Sequence, residues 1–382
     1  MGKQHTAWVD EFIANVRPYV FVRTEDNVLI KRPNRAQKLN PWGARILAAL
    51  LAGHSFDDVL AAANADEART NEILQFLSAV KASLENRIDI FTQSPAVELK
   101  PFEMAFSDYP VLSEVALTYR CNLRCRFCYT GCAGAGGHPS AAPEMRPKQV
   151  KRVLETIYHD ARVPSVSFTG GEPTLSPALP ELVAFAKRLG MRVNLITNGT
   201  LIDRAYAERL VRSGLDSAQV SLEAPDARGH DSLVSMDGAF ERTVTAVGHL
   251  HGAGVHTHTN TTVTAANRDR CRELPRFVRE TLGLERFSMN LLIPTGDAGM
   301  HTELLVRYSD IGAVLEEVMA ESERCGVECM WYSPVPMCLF NTVANGLGNK
   351  GCSACDGLLS VAPNGDVLPC ASVADSVGNL LR

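Results

Sequence analysis

No stretch of this 382-residue chain approaches the roughly twenty consecutive apolar residues that a bilayer-spanning helix needs, and the opening MGKQHTAWVDEF lacks the apolar core of a signal peptide. The cytoplasm is therefore the expected compartment, with no membrane partner. A basic excess is missing too. Thirty-eight Lys plus Arg stand against 43 Asp plus Glu, a net of −5, so no surplus positive charge is available for phosphates and nucleic acid is not an expected partner. Internal repeats and low-complexity tracts are also lacking. What is present is 46% hydrophobic content, enough for real cores, in a length ample for two or three domains. There are eleven cysteines, which disulfides do not explain in a reducing compartment.

Cys121, Cys125 and Cys128 form a CxxxCxxC triplet inside TYRCNLRCRFCYTG. Three thiolates can hold a [4Fe-4S] cluster by three of its irons and leave the fourth open, whereas an electron-transfer cluster ordinarily uses four cysteines. A zinc knuckle or three structural thiols are the plainer alternatives.

Downstream, strand-like and helix-like segments alternate. Strands are expected over Glu114 to Thr118, Ser165 to Thr169, Arg192 to Ile196, Ser217 to Leu222, His256 to Val263 and Arg286 to Leu292. Helices are expected over Lys148 to His159, Pro180 to Leu189, Asp203 to Val211, Ala239 to His251 and Arg270 to Thr281. Such alternation implies right-handed βαβ crossovers and a parallel α/β sheet, here of six strands. The second strand ends in Gly170, Gly171, Glu172 and Pro173, where two glycines permit close backbone approach and Glu172 offers an acceptor for an ammonium group.

The triplet, the Gly-Gly-Glu-Pro turn and the six βα units together resemble the radical S-adenosylmethionine (SAM) superfamily. The resemblance implies a partial (β/α)6 barrel whose site lies at the C-terminal strand ends. It implies a cluster on Cys121, Cys125 and Cys128, with Phe127 as the aromatic residue before the third cysteine. Gly170 to Pro173 would hold the SAM amino group, Thr197 and Asn198 would line the pocket, Ser221 and Glu223 would approach ribose or carboxylate, and Ile293 to Gly296 would border the adenine. Many relatives carry Asp where Glu223 stands, and the arginine often found near Ser235 to Gly238 is absent.

A second constellation comprises Cys338, Cys352, Cys355 and Cys370. The segment from Cys355 to Cys370 reads as a β-hairpin turning at Asn364-Gly365 with a thiol beyond each strand. It resembles the core of SPASM and twitch extensions, which implies one auxiliary [4Fe-4S] cluster; a zinc ribbon on Cys352 and Cys355 is the competitor. Cys325 and Cys329 read as buried thiols near one helix end. Cys132 and Cys271 read the same way, with the added possibility of a thiol that donates hydrogen to a substrate radical.

Before about Pro101, Val20 to Arg23 and Asn27 to Ile30 form an expected hairpin. Helices are expected from Leu39 to Gly53, Ser55 to Ala63 and Glu67 to Asn86, and a strand from Ile88 to Thr92. The layout resembles PqqD-like winged-helix domains, which bind leader peptides. The expected domains are thus a PqqD-like α+β unit over 1–100, the barrel over 101–310, and a twitch or SPASM-like extension over 311–382. By resemblance, an external donor such as flavodoxin or ferredoxin reduces the cluster, SAM is cleaved, and a 5′-deoxyadenosyl radical abstracts hydrogen from a substrate carbon. A peptide precursor is the first expected substrate and a sugar or other natural product the second. A non-catalytic iron-sulfur or zinc protein is the third reading.

Overall fold

The structure, a computed structural model, describes residues 7–32, 35–85, 108–132, 143–348, 350–355 and 357–382. The strand expected over Ile88 to Thr92, the boundary near Pro101 and most of the Gly131 to Gly137 loop lie outside these residues. The chain divides into two compact units, Met1–Leu112 with Ala161–Ser165, and Ser113–Asp160 with Val166–Arg382.

In the first unit, α1 (Ala7–Val16) precedes a three-stranded antiparallel sheet of β1 (Val20–Arg23), β2 (Val28–Lys31) and β3 (Arg35–Lys38), followed by α2 (Pro41–Ala52), α3 (Phe56–Ala62) and α4 (Glu67–Leu84). The α2 boundaries follow local chemistry. Asn40 accepts the Gly43 N–H at 2.7 Å, Pro41 fixes the first turn, and Gly53 ends the helix at φ 108°. Val9, Ile13, Leu47, Leu50, Ile73, Phe76 and Leu77 form its core. Within it, buried Arg23 makes a two-pronged pair with Asp26 at 2.8 Å, and its remaining donors reach the carbonyls of Tyr109 and Pro110, so the buried charges are satisfied. Neither α1 nor β3 was expected, since Arg-Ala-Gln-Lys carries no strand-forming pattern.

The second unit begins with β4 (Leu112–Ala116), whose first residue falls at the division, and alternates α5 (Pro147–Glu155), β5 (Ser165–Thr169), α6 (Leu179–Leu189), β6 (Arg192–Thr197), α7 (Arg204–Arg212) and β7 (Ser217–Ser221). Two helices, α8 (Ala227–Val234) and α9 (Ala239–Gly252), lead to β8 (His256–Val263). A mixed helical segment over 268–281, with α10 (Leu274–Arg276) between a 3-10 and a π stretch, leads to β9 (Arg286–Leu291). The long α11 (Tyr308–Cys325) then leads to β10 (Glu328–Trp331). β10 pairs parallel to β9, as β9 does to β8, β8 to β7, β7 to β6 and β5 to β4.

Two expectations need correction. The crossover series supplies seven strands instead of six, because β10 adds to the β9 edge. Cys325 closes α11 while Cys329 lies in β10, so the two do not share a helix. Past the β4 edge the sheet continues with β11 (Leu358–Val361), β12 (Asp366–Leu368) and β13 (Gly378–Asn379). β11 and β12 are antiparallel about a turn in which Ala362 N–H reaches the Asp366 carbonyl at 2.8 Å and Gly365 takes φ 86°.

Strand alternation separates two faces. Val115, Phe168, Val193, Leu195, Val220, Phe287 and Met289 are fully buried on one face. On the other lie polar residues that pair across strands: Asn194 with Ser167 and Ser217, Gln219 with His258, and Asn260 with Asn290 and Ser288. Parallel barrels ordinarily fill their interior with branched aliphatic side chains. This inner face is built instead to meet something polar.

Candidate active site

The cysteine loop leaves β4 and is pinned from two sides. The N–H groups of Arg124 and Arg126 donate to the carbonyls of Val234 and Leu233 at the end of α8, at 3.2 and 3.1 Å. From the loop after β9, the Asp297 N–H donates to the Cys128 carbonyl at 2.9 Å. Phe127 packs with Leu233, Leu292, Ala298 and Leu304, and Leu123 with Val234 and Ala239. Sequence reasoning missed α8; its one legible signal is Asp226, which caps the Gly229 N–H at 3.0 Å. Gly296 lies against this loop so closely that a Cβ there would meet the Tyr129 carbonyl at 2.5 Å.

Gly170 and Gly171 are required by the chain itself. A Cβ on Gly170 would lie 2.2 Å from the Thr118 carbonyl oxygen, and one on Gly171 would lie 2.3 Å from that of Arg120. Their close approach is to the entry of the cysteine loop, reinforced by the Gly171 N–H to Thr118 at 2.7 Å and the Glu172 N–H to Arg120 at 2.9 Å.

Glu172 is fully buried, and its carboxylate is already engaged. Oε1 accepts from the Thr174 N–H at 2.9 Å, the Thr174 hydroxyl at 2.6 Å and the Thr197 hydroxyl at 2.7 Å, while Oε2 accepts the Asn198 N–H at 2.8 Å. Burial raises its pKa, and these bonds oppose the rise. Three donors share Oε1 and one reaches Oε2, so the carboxylate ties two strand ends together while Oε2 keeps one acceptor position. Pro173 opens the short 3-10 turn Pro173–Leu175 beyond it.

Thr197 is buried at the end of β6, and beyond it Asn198 sends Nδ2 to Asn122 Oδ1 at 3.0 Å and toward Cys121 Sγ at 3.9 Å. Its Oδ1 is held by the Thr200 N–H and hydroxyl at 2.9 and 2.6 Å. Ser221, half-buried, ends β7. Glu223 is buried two residues on, accepts the Thr262 N–H at 2.8 Å, and has its pKa pushed up to about 8 by burial. Its own N–H donates to His230 Nδ1 at 3.0 Å, so the His230 proton resides on Nε2.

The three motif thiols are free and partly accessible. Burial pushes Cys121 up to about 11, with the negative charges of Glu172 and Cys128 adding, and Cys125 rises for the same reason beside Cys128, Glu223 and Cys121. Cys128 is instead lowered, chiefly by its hydrogen bond to Cys132 with Thr130 adding, and three thiols gathered on one loop fit a cationic iron core. Thr130 Oγ1 lies 3.1 Å from Cys128 Sγ and 2.8 Å from Cys132 Sγ. Cys132 thus stands directly behind the third cysteine. Cys271 is buried, contacts the Asn267 carbonyl at 3.5 Å and is pushed up to about 12 by burial, a core thiol in its surroundings.

Of the second constellation, the hairpin brings the ends bearing Cys355 and Cys370 together: the Cys355 N–H donates to the Pro369 carbonyl at 3.2 Å. Cys338, Cys352 and Cys355 are exposed. Among the described residues no three His, Cys, Asp or Glu side chains converge on one metal ion. A surface groove of about 760 Å³ lies between the 268–281 segment and α11. Its Arg272 and Arg276 pair with Glu317 and Glu321, and it contains none of the strand-end residues above.

The Radical SAM superfamily model matches residues 115–276. The chain is 31% identical over 272 residues to a PqqA peptide cyclase of Gluconobacter oxydans, covering 68% of this chain and 70% of that one. It is 32% identical over 200 residues to an AdoMet-dependent heme synthase of Nitratidesulfovibrio vulgaris, covering 52% and 53%. The alignments span about half the length of the two heme synthases matched first, 53% and 45%. In fold it resembles Streptococcus suis SuiB bound to its precursor peptide SuiA, with a TM-score of 0.65, 16% identity, and 95% of this chain and 85% of that one covered. With a parallel sheet whose strand ends surround a CxxxCxxC loop, and a peptide-cyclase relative matched over most of its length, the chain belongs to the radical SAM superfamily of enzymes.

Proposed function

We propose that this enzyme modifies a ribosomally made peptide. Cys121, Cys125 and Cys128 would hold the [4Fe-4S] cluster that the family implies. The Gly170-Gly171 backbone, Asn198, Ser221 and Glu223 would contact SAM, with Glu172 and Thr197 keeping those strand ends in register. Bound together, cluster and SAM supply reductive cleavage to a 5′-deoxyadenosyl radical, which takes hydrogen from a substrate carbon. The protein's part is to hold SAM and substrate in register and exclude water. The observation that carries the reading is the polar inner face below the cysteine loop, an interior suited to polar peptide groups. The peptide cyclase relative supports it.

The first unit, a three-stranded sheet with helices, would serve as the PqqD-like winged-helix module that grips a leader, and Cys338, Cys352, Cys355 and Cys370 would hold one auxiliary cluster. Domain limits at 1–100, 101–310 and 311–382 belong to the same proposal, as does an external flavodoxin or ferredoxin donor. The heme synthase relatives favour a second reading, oxidation or epimerisation of a small natural product.

Anaerobic reconstitution followed by dithionite and SAM tests the core of this. 5′-Deoxyadenosine should form with the parent and not with Cys121, Cys125 and Cys128 all replaced by Ala. Cleavage retained by that variant overturns the assignment. A precursor peptide encoded beside the gene should then gain a mass change; if only a small natural product does, the second reading stands.

A further inference from the structure

Glu223 lies just past the end of β7, and its peptide is held on both sides by buried side chains. His230, on α8, accepts the Glu223 N–H on Nδ1 at 3.0 Å. Asn267, in the turn after β8, donates Nδ2 to the Glu223 carbonyl at 2.8 Å and to the Thr262 carbonyl at 2.9 Å. Its Oδ1 accepts the Thr264 N–H at 2.7 Å and the Thr264 hydroxyl at 3.0 Å, so the full capacity of the Asn267 amide is used. The His230 ring stands edge-on to Phe240 with centroids 6.0 Å apart, and Phe240 lies against Phe277 at 5.7 Å. The next residue, Asp231, fixes α8 to the start of α9 by accepting the Gly238 and Phe240 N–H groups, each at 2.7 Å. The Leu233 and Val234 carbonyls then take the Arg126 and Arg124 N–H groups. Between His230 and Val234, α8 therefore grips the Glu223 peptide, the start of α9 and the cysteine loop.

We propose that His230 is a positioning residue: by holding the Glu223 peptide on the helix that also carries the cysteine loop, it sets where Glu223 meets SAM relative to the cluster. This rests on the assignment of Glu223 to SAM above. A binding group is effective when packing and hydrogen bonds lock it before the ligand arrives. For Glu223 that lock is complete, with the N–H on His230, the carbonyl on Asn267 and Oε2 on the Thr262 N–H at 2.8 Å. Turning the imidazole away would leave a buried N–H without an acceptor, so the ring stays where it is. The attachments of α8 to α9 and to the cysteine loop run through Asp231, Leu233 and Val234 and do not involve the imidazole. Loss of the Nδ1 acceptor is therefore felt at SAM while the iron site keeps its support.

The test compares His230→Asn with His230→Gln in the reconstituted full chain, using anaerobic calorimetric titration with SAM. Asn places its amide oxygen where Nδ1 stands, whereas the longer Gln carries its oxygen out toward the Nε2 position. SAM affinity should stay within about threefold of the parent in H230N and fall about tenfold or more in H230Q, with parental iron content in both. Gln fills the imidazole volume better, so a purely structural role predicts the opposite order. Affinity that follows melting temperature instead of acceptor position overturns the proposal, as does iron lost together with SAM affinity in H230Q. Should either variant fail to fold, amide hydrogen exchange on the parent decides: SAM should slow exchange across Ala227–Val234, and unchanged exchange there overturns the proposal. A parent that binds no SAM overturns the SAM reading itself, an outcome told apart because it needs no variant.

Discussion

Glu172 Oε2 accepts the backbone N–H of Asn198 at 2.8 Å, tying the turn after β5 to the end of β6. With Oε1 bound to Thr174 and Thr197, one side chain organises two strand ends whose register sets the mouth of the sheet.

Glu172→Ala should therefore act first on stability. Two buried backbone N–H groups lose their acceptor, each at about 1 to 3 kcal/mol, so a loss on the order of 3 kcal/mol is expected in urea or thermal unfolding. If the variant unfolds like the parent yet no longer binds SAM, the carboxylate contacts the ligand and the structural account fails.

Gly170→Ala addresses the same junction from the backbone. The new methyl would meet the Thr118 carbonyl at 2.2 Å at a φ of 138°, so β4 and the cysteine loop behind it must shift. Destabilisation of about 2 kcal/mol or more is expected. Iron bound after reconstitution should fall with it; full iron content at parental stability would show that the loop tolerates the displacement.

Glu114→Gln gives a pH signature. Burial raises the Glu114 pKa from the usual 4.5 to about 7. Below pH 4.5 the carboxyl is protonated folded or unfolded and costs nothing. As pH climbs toward 7 the unfolded chain ionises while the folded one resists, so the parent loses stability and by pH 8 carries the full penalty. The variant should exceed the parent by on the order of 2 kcal/mol at pH 8, with the gap closing near pH 4. Subtracting the two curves removes the contributions of Glu172 and Glu223, whose pKa values are also raised. A gap independent of pH would show that Glu114 is not ionised alone in the interior.

Much of this frame is legible in the sequence because its signals are local. Ser165 to Thr169 and His256 to Val263 read as strands from β-branched alternation and are strands over those residues. The Asn40, Pro41 and Gly53 signals bracket α2 as expected. What was not legible depends on distant partners. β10 is four residues containing Cys329, and only pairing with β9 makes it a strand. The employment of Glu172 is invisible until Thr197 and Asn198, more than twenty residues on, fold against it. Gly170 and Gly171 announced a close approach but not its object, since Thr118 and Arg120 lie some fifty residues earlier.

The last prediction concerns Thr130, buried behind the cysteine loop, whose hydroxyl lies 3.1 Å from Cys128 and 2.8 Å from Cys132. If Cys128 ligates iron it carries no proton and can only accept, which fixes the direction of the chain: the Thr130 O–H donates to Cys128 and the Cys132 S–H donates to Thr130 Oγ1. A hydrogen bond to a cluster sulfur stabilises the more negative, reduced state and raises the reduction potential. Thr130→Val keeps the shape and removes the donor, so the cluster of the variant should titrate at a more negative potential in EPR-monitored reduction while its iron content stays parental. Cys132→Ser, which keeps a donor to Thr130, should shift it less. A Thr130→Val potential equal to that of the parent would show that the hydroxyl does not point at Cys128 once iron is bound.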